Sequence, residues 1–246
     1  MGRWSQPLAS QLADLADVHG DVRVLDVGCG PGALTSELAA RVGAGAVAAV
    51  DPSASFVEAA RARHPGVDIH QAAAEQLPFG DDVFDRALAQ LVVHFMSDPV
   101  AGLTEMARVT RPGGIVAACV WDYAGDRGPL GPFWRAARHL DPAVQDESHL
   151  AGTSEGHLAE LLEAAGLRDV QRAALSSRRD YDGFEAWWEP FLRGVGPAGG
   201  YVAGLVASAR ADLREHCRTM LPAGPFTLTA VAWAARGVVQ GVARGR

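Results

Sequence analysis

The 246-residue chain contains no lysine: all 22 basic residues are arginine, against 29 acidic residues, for a net charge of −7. An acidic chain without a basic run has no chain-wide attraction to nucleic acid or to an anionic membrane surface. The missing lysine, beside abundant Ala, Gly and Arg, reads as the codon bias of a GC-rich genome. The pairs Arg61/Arg63 and Arg178/Arg179 read as solvated faces. Cysteine is scarce too. Cys29, Cys119 and Cys217 are odd in number and far apart, which excludes a disulfide framework and suggests free thiols in a reducing, cytoplasmic setting. No apolar run approaches the ~18 residues of a membrane span. The opening Met-Gly-Arg-Trp-Ser-Gln-Pro has no apolar stretch for a signal peptide, and Gln6 stands where a myristoylation signal needs Ser or Thr. No histidine pair has metal-ligand spacing, so no metal site is expected.

What is present is average for a globular protein, with 48% hydrophobic and 21% charged residues. A single domain over 1–246 is expected, with a core burying roughly 70–75% of the unfolded chain's surface.

Strands and helices alternate along the first half. Arg-Val-Leu-Asp-Val at 23–27 reads as a buried strand ending at Gly28. A helix is expected over 33–42, with Pro31 near its first turn. Strands follow at 46–51, 67–70, 83–89 and 114–120, the last after the turn Arg111-Pro112-Gly113. Between them, Ser55-x-x-Glu58 predicts a capping box opening a helix to about His64, and a further helix covers 99–109. This alternation implies right-handed βαβ units and a parallel, doubly wound sheet. Later come a helix over 155–165, stopped by Gly166, and strands at 169–178 and 226–233. The intervening 182–222 reads as helical, broken at 194–200.

The segment Asp26-Val27-Gly28-Cys29-Gly30-Pro31-Gly32-Ala33 lies where the first strand turns into a helix. Its glycines let the backbone approach a ligand that a Cβ would repel, and the helix start offers unpaired N–H groups. Gly28-x-Gly30-x-x-Ala33 also fits the dinucleotide pattern. Asp51, closing the second strand, suits ribose hydroxyls either way. The segment alone supports a nucleoside cofactor without saying which.

Taken with four later segments, it resembles the glycine-rich motif of the class I S-adenosylmethionine-dependent methyltransferases. Those segments are Asp51-Pro52-Ser53, Ala74-Glu75-Gln76-Leu77-Pro78-Phe79, Phe84-Asp85 and Arg111-Pro112-Gly113-Gly114, in order over residues 22–121. The resemblance implies a Rossmann-like α/β fold: a seven-stranded, mostly parallel sheet with an antiparallel last strand and helices on both faces. It implies S-adenosylmethionine as cofactor and S-adenosylhomocysteine as product. By position, Gly28, Cys29, Gly30 and Gly32 would pass under the methionine and ribose parts. Asp26 would orient that loop or meet the amino group. Asp51 would take the ribose hydroxyls, Pro52 and Ser53 would flank adenine, and Gln90 would lie beside the methionine. Ala74 would give its N–H to adenine, with Glu75 close by. Ala73 departs from the family, since many relatives have Asp or Asn there. The N-terminus departs too: relatives often carry a Tyr-containing segment upstream of Gly-Arg-Trp-Ser, and Arg3, Trp4 and Gln6 are candidate cofactor contacts here, or a frayed end or helix start.

Methyl transfer needs near-attack geometry more than a particular side chain. His94, four residues past Gln90, is the candidate general base, against a simple packing role. Phe184, Trp187, Trp188 and Phe191 fall at helical spacing in a helix opened by Asp182, which Pro190 would kink. With Trp121, Phe133 and Trp134 they are candidate walls of the acceptor pocket, and 123–152 and 180–223 candidate cap insertions. The expected acceptor is a small, hydrophobic or aromatic metabolite, with no nucleic acid or membrane partner, and the protein a monomer or homodimer. Three other readings stand beside this one: a cofactor-binding protein catalysing a non-methylating reaction, a non-catalytic module, and a nicotinamide dehydrogenase.

Overall fold

The computed structural model describes residues 2–194 and 196–241, and only the backbone of residues 2 and 3. Among the described residues, seven strands form one sheet in the order β3-β2-β1-β4-β5-β7-β6. Here β1 is Val24–Val27, β2 Val47–Asp51, β3 Asp68–Gln71, β4 Phe84–Gln90, β5 Thr110–Trp121, β6 Arg168–Tyr181 and β7 Phe226–Val238. Pairing is parallel from β3 through β5, and β7 runs antiparallel to both β5 and β6. The expected doubly wound sheet with an antiparallel last strand is the one found.

Every residue of β1 and β2 is buried, as a parallel sheet covered on both faces requires. Alternate residues face opposite cores. Val24, Val47 and Ala49 join helices α1 (Gly2–Leu15), α2 (Ala33–Val42) and α3 (Ala54–Arg63). Leu25, Val27, Ala48 and Val50 join α4 (Pro99–Val109) and α6 (His157–Ala164). Residues of α5 (Gly131–Leu140), α7 (Phe184–Trp188), α8 (Gly196–Gly204) and α9 (Ala207–Thr219) extend the first core. Strand order reverses between β1 and β4, so the crevice at their carboxyl ends is where a ligand site is expected in such a sheet.

Local chemistry explains where the sequence reading and the structure part. The Ser55 capping box does not form. The helix starts at Ala54, so Ser55 lies inside its first turn; Ser53 holds the N-cap without a side-chain bond to the helix, its hydroxyl lying 3.0 Å from that of Ser55. In α4, by contrast, Asp98 Oδ1 accepts from Ala101 N–H at 3.0 Å and Pro99 opens the first turn. The turn 111–113 lies inside β5 as a bulge, where the register slips between Phe84↔Thr110 and Arg86↔Ile115. Strands β6 and β7 are longer than expected because they pair with each other along most of their length. The glycine-rich stretch at 194–200 does not break the helices as a whole: Gly194 is left-handed, and α8 starts at Gly196. The aromatic helix is short and passes at Glu189 into a 3-10 turn with Pro190 in its first positions, so Asp182 opens nothing; Gly183 stands at the cap.

Candidate active site

A cavity of about 530 Å³ opens at the carboxyl ends of β1, β2, β4 and β5, a size suited to a cofactor or small ligand. Its floor is the turn 28–32. Gly28 N–H and Cys29 N–H both donate to Val50 O, at 2.8 and 2.9 Å, locking the turn against β2. Gly28 has φ +72°, and a Cβ there would lie 2.4 Å from the Val92 side chain. Gly30 has φ +53°, and a Cβ there would meet nothing within 4 Å. The first glycine is thus fixed by crowding, and the second leaves an open cradle. Burial pushes the Cys29 thiol above its ordinary range, so it stays un-ionised.

Asp51 organises the cradle. Its Oδ2 accepts from Gly30 N–H at 2.8 Å and its Oδ1 from Ser53 N–H. Each carboxylate oxygen keeps further lone-pair capacity for a ligand hydroxyl.

Asp26 is 1% exposed, and its Oδ2 accepts from the Thr35 hydroxyl at 2.6 Å. Burial raises its pKa to about 7, opposed by the Thr35 bond and reinforced by the charge of Asp51. Its Oδ1 has no partner. Neither do Gln90 Oε1, His94 Nδ1 and Trp121 Nε1, which also belong to residues lining this cavity. Buried polar atoms are normally paired. Four orphans around one cavity, among seven of the described residues, are what a polar ligand's site would leave when the ligand is absent. A carboxylate in want of a cation, beside a glycine cradle, fits the ammonium end of S-adenosylmethionine.

The remaining wall joins several elements. Gln90 Nε2 donates to the Ser5 carbonyl at 2.9 Å, tying β4 to α1. Trp4 is buried edge-on against Trp121, with ring centroids 6.4 Å apart. Arg3's side chain lies outside the described residues, and Gln6 does not line the cavity. His94 sits on a 3-10 turn, 3.9 Å from the Phe95 ring and 5.9 Å from that of Tyr123, and burial lowers its pKa to about 4. Leu91 has φ +61°, a rare conformation for a branched side chain, at the point where β4 enters the site.

Ala73, Ala74, Glu75 and Pro52 line a smaller adjoining pocket, which shares Gly28, Val92 and Phe95 with the main one. One oxygen of the Glu75 carboxylate, Oε1, accepts there from Ser97 N–H at 2.7 Å and Asp98 N–H at 3.2 Å. Trp121, Asp26, Gly28, Cys29, Gly30, Asp51, Pro52, Ser53, Gln90 and His94 all line the main cavity; Gly32 stands behind it as the N-cap of α2. Phe133, Trp134, Trp187, Trp188 and Phe191 do not line it. They pack on one another within the first core, Phe133 stacking on Phe191 at 4.7 Å, and Trp134 donates to Glu147 Oε2 at 2.7 Å. Sequence reasoning missed Ser5, Phe56, Leu91, Phe95 and Tyr123 as lining residues. Phe95 was within reach, one residue beyond His94.

Residues 25–118 match the family described as "Methyltransferase domain". The chain is 39% identical over 206 residues to the malonyl-[acyl-carrier protein] O-methyltransferase of Erwinia billingiae, covering 75% of this chain and 81% of that one. The chain belongs to the class I S-adenosylmethionine-dependent methyltransferases. This methyltransferase is also 29% identical to 2-methyl-6-phytyl-1,4-hydroquinone methyltransferase 2 of Oryza sativa subsp. japonica, over 91% of its own length but 57% of the rice chain. Its fold is that of the YcgJ protein from Bacillus subtilis, with a TM-score of 0.62 at 21% identity over 95% of this chain and 98% of that one. Membership of this family implies S-adenosylmethionine, of the two nucleosides that the glycine turn left open. Among its described residues, no helix is long and apolar enough to cross a membrane.

Proposed function

We propose that this methyltransferase methylates a small, uncharged, apolar or aromatic metabolite, releasing S-adenosylhomocysteine. One observation carries the reading: none of the described residues lining the cavity is an arginine, and its apolar lining comprises the buried Trp121 and Tyr123, the half-buried Leu91 and Val92, and the largely exposed Phe95. An acceptor carrying a carboxylate or phosphate would enter without a cation to meet it, at a cost of several kcal/mol. Of the two relatives, the rice enzyme is named for a substituted hydroquinone and the Erwinia enzyme for a malonyl group. The apolar wall favours an acceptor of the first kind.

The chain's own residues would divide the work as follows. The turn 28–32 and Asp51 hold the nucleoside, and Asp26 receives the ammonium. Bound S-adenosylmethionine supplies an electrophilic methyl carbon on a positively charged sulfur. Trp121 and Tyr123, both buried, exclude water and set the line of approach, where orientation is worth up to ~7–11 kcal/mol. His94, neutral at physiological pH, accepts a hydrogen bond from an acceptor hydroxyl and orients it. So weak a base is an aligning group more than a proton sink. The cap over 123–152 and 180–223 covers the acceptor end. Cys29, Cys119 and Cys217 are free and buried, which suits a reducing, cytoplasmic setting.

The test is transfer of a labelled methyl group to matched panels of neutral phenols and hydroquinones and of their carboxylated analogues. Turnover confined to the neutral panel supports the reading, and turnover confined to the carboxylates ends it.

A further inference from the structure

The glycine-rich turn is held from two sides, and only one faces the cavity. On the inner side Asp51 accepts from Gly30 N–H. On the outer side Arg63 Nη1 donates to the Pro31 carbonyl at 2.8 Å. His64 Nε2 lies 3.2 Å from the Gly32 carbonyl and 3.3 Å from Ser36 Oγ. The Ser36 hydroxyl donates its own proton to the Gly32 carbonyl at 2.8 Å. Both neighbours of His64 Nε2 are therefore acceptors, and that nitrogen must carry a hydrogen. The fit is tight: a Cβ on Gly32 would lie 2.5 Å from His64 Nε2. Neither Arg63 nor His64 lines the cavity.

Asp51 ends β2, and Arg63 and His64 end the helix that follows it. One β–α unit thus grips the turn at both rims, while the turn itself belongs to the preceding unit. The turn needs this help, because left-handed glycines at 28, 30 and 32 have many alternative conformations open to them. Ordering them on binding would subtract from affinity; ordering them beforehand does not.

We infer that Arg63 and His64 are positioning residues for the cofactor, fixing the outer carbonyls of the turn so that Gly30 N–H and its open cradle are set before the cofactor arrives. The inference rests on the cavity being the S-adenosylmethionine site. Because neither side chain reaches the cavity, the effect falls on cofactor affinity through the backbone.

The experiment is calorimetric titration of the full chain with S-adenosylhomocysteine for wild type, His64→Ala, His64→Gln, Arg63→Lys and the double variant Arg63→Ala/His64→Ala. The double variant should bind about 5–10-fold more weakly, as expected for two partly exposed hydrogen bonds. His64→Gln and Arg63→Lys still present a donor and should stay within about twofold of wild type, a rescue that a general packing role would not produce. Melting temperatures of the ligand-free variants provide the control. If the double variant melts early, the comparison of His64→Ala with His64→Gln decides alone. Unchanged affinity in the double variant overturns the inference, as does His64→Gln binding no better than His64→Ala. A wild-type protein that fails to bind S-adenosylhomocysteine overturns the cofactor site itself, a result visible before any variant is made.

Discussion

The Thr35 hydroxyl donates to Asp26 Oδ2 at 2.6 Å, while Oδ1 of the same buried carboxylate has no partner. The half-satisfied carboxylate, raised to about 7, binds a proton in the folded protein across a range where the unfolded chain, near 3.8, has lost it. Asp26 therefore makes the ligand-free protein less stable as pH rises from about 4 to 7, by on the order of 3 kcal/mol, and adds no further slope above that. An ammonium at Oδ1 favours the ionised form, so affinity for S-adenosylhomocysteine should rise with pH up to about 7 and then level off. Asp26→Asn should bind weakly and without that slope, and should be the more stable protein at pH 8 when ligand-free. Titrations between pH 5.5 and 8.5 check both; a flat wild-type profile would remove Asp26 from the site.

The two glycines at 28 and 30 separate folding from binding. Gly28→Ala meets Val92 at 2.4 Å in a left-handed conformation, and we expect loss of several degrees in melting temperature along with binding. Gly30→Ala meets nothing within 4 Å, so it should cost only about 1 kcal/mol of backbone strain while placing a methyl group in the cradle. The expected Gly30→Ala protein is folded and melts within a few degrees of wild type, yet gains no thermal stability from S-adenosylhomocysteine at concentrations that stabilise wild type. Normal stabilisation would mean the ligand does not lie over Gly30.

Much of this site was legible in the sequence because it is built from backbone turns, and turns are written in glycine, proline and aspartate. Asp26, Gly28, Gly30 and Asp51 fall where the strand ends put them. Side-chain direction was harder to read. The spacing of Trp187, Trp188 and Phe191 marks a buried helix face but does not say whether it faces a ligand or other rings, and here it faces Phe133. Glu75 sits in the expected loop, yet its Oε1 accepts from the amides of Ser97 and Asp98, a contact made through the fold. The seal made by Ser5 and Trp4 joins residues more than 80 positions from Gln90 and Trp121, beyond the reach of any local pattern.

His94 offers a kinetic test of its proposed role. With its pKa lowered to about 4 by burial, it does not change charge between pH 5.5 and 8. The pH profile of kcat with a phenolic acceptor should then have no limb removed by His94→Gln, and His94→Ala should lower kcat/KM by about 10-fold, as for a lost orienting bond. A loss of 10³-fold or more, with a limb near pH 6 that vanishes in the variant, would make the histidine a general base instead.

Trp188 and Trp121 are both buried at 1% exposure or less, but they stand in different places. Trp188 packs within the cap against Phe184 and Phe191 and does not reach the cavity. Trp188→Ala should cost about 3–5 kcal/mol and lower the melting temperature by roughly 10 °C, through lost packing alone. Below that temperature its affinity for S-adenosylhomocysteine should match wild type. Trp121→Phe keeps an apolar ring on the cavity wall and removes an indole N–H that has no protein partner, so as a modest large-to-small change it should cost about 1–2 kcal/mol, less than Trp188→Ala. Its rank order of acceptors, measured by labelled methyl transfer, should shift, because Trp121, at the end of β5, lines the same cavity as the nucleoside cradle and His94. If Trp188→Ala altered acceptor preference while Trp121→Phe left it unchanged, the acceptor would lie under the cap rings and the cavity wall described here would belong to the cofactor alone.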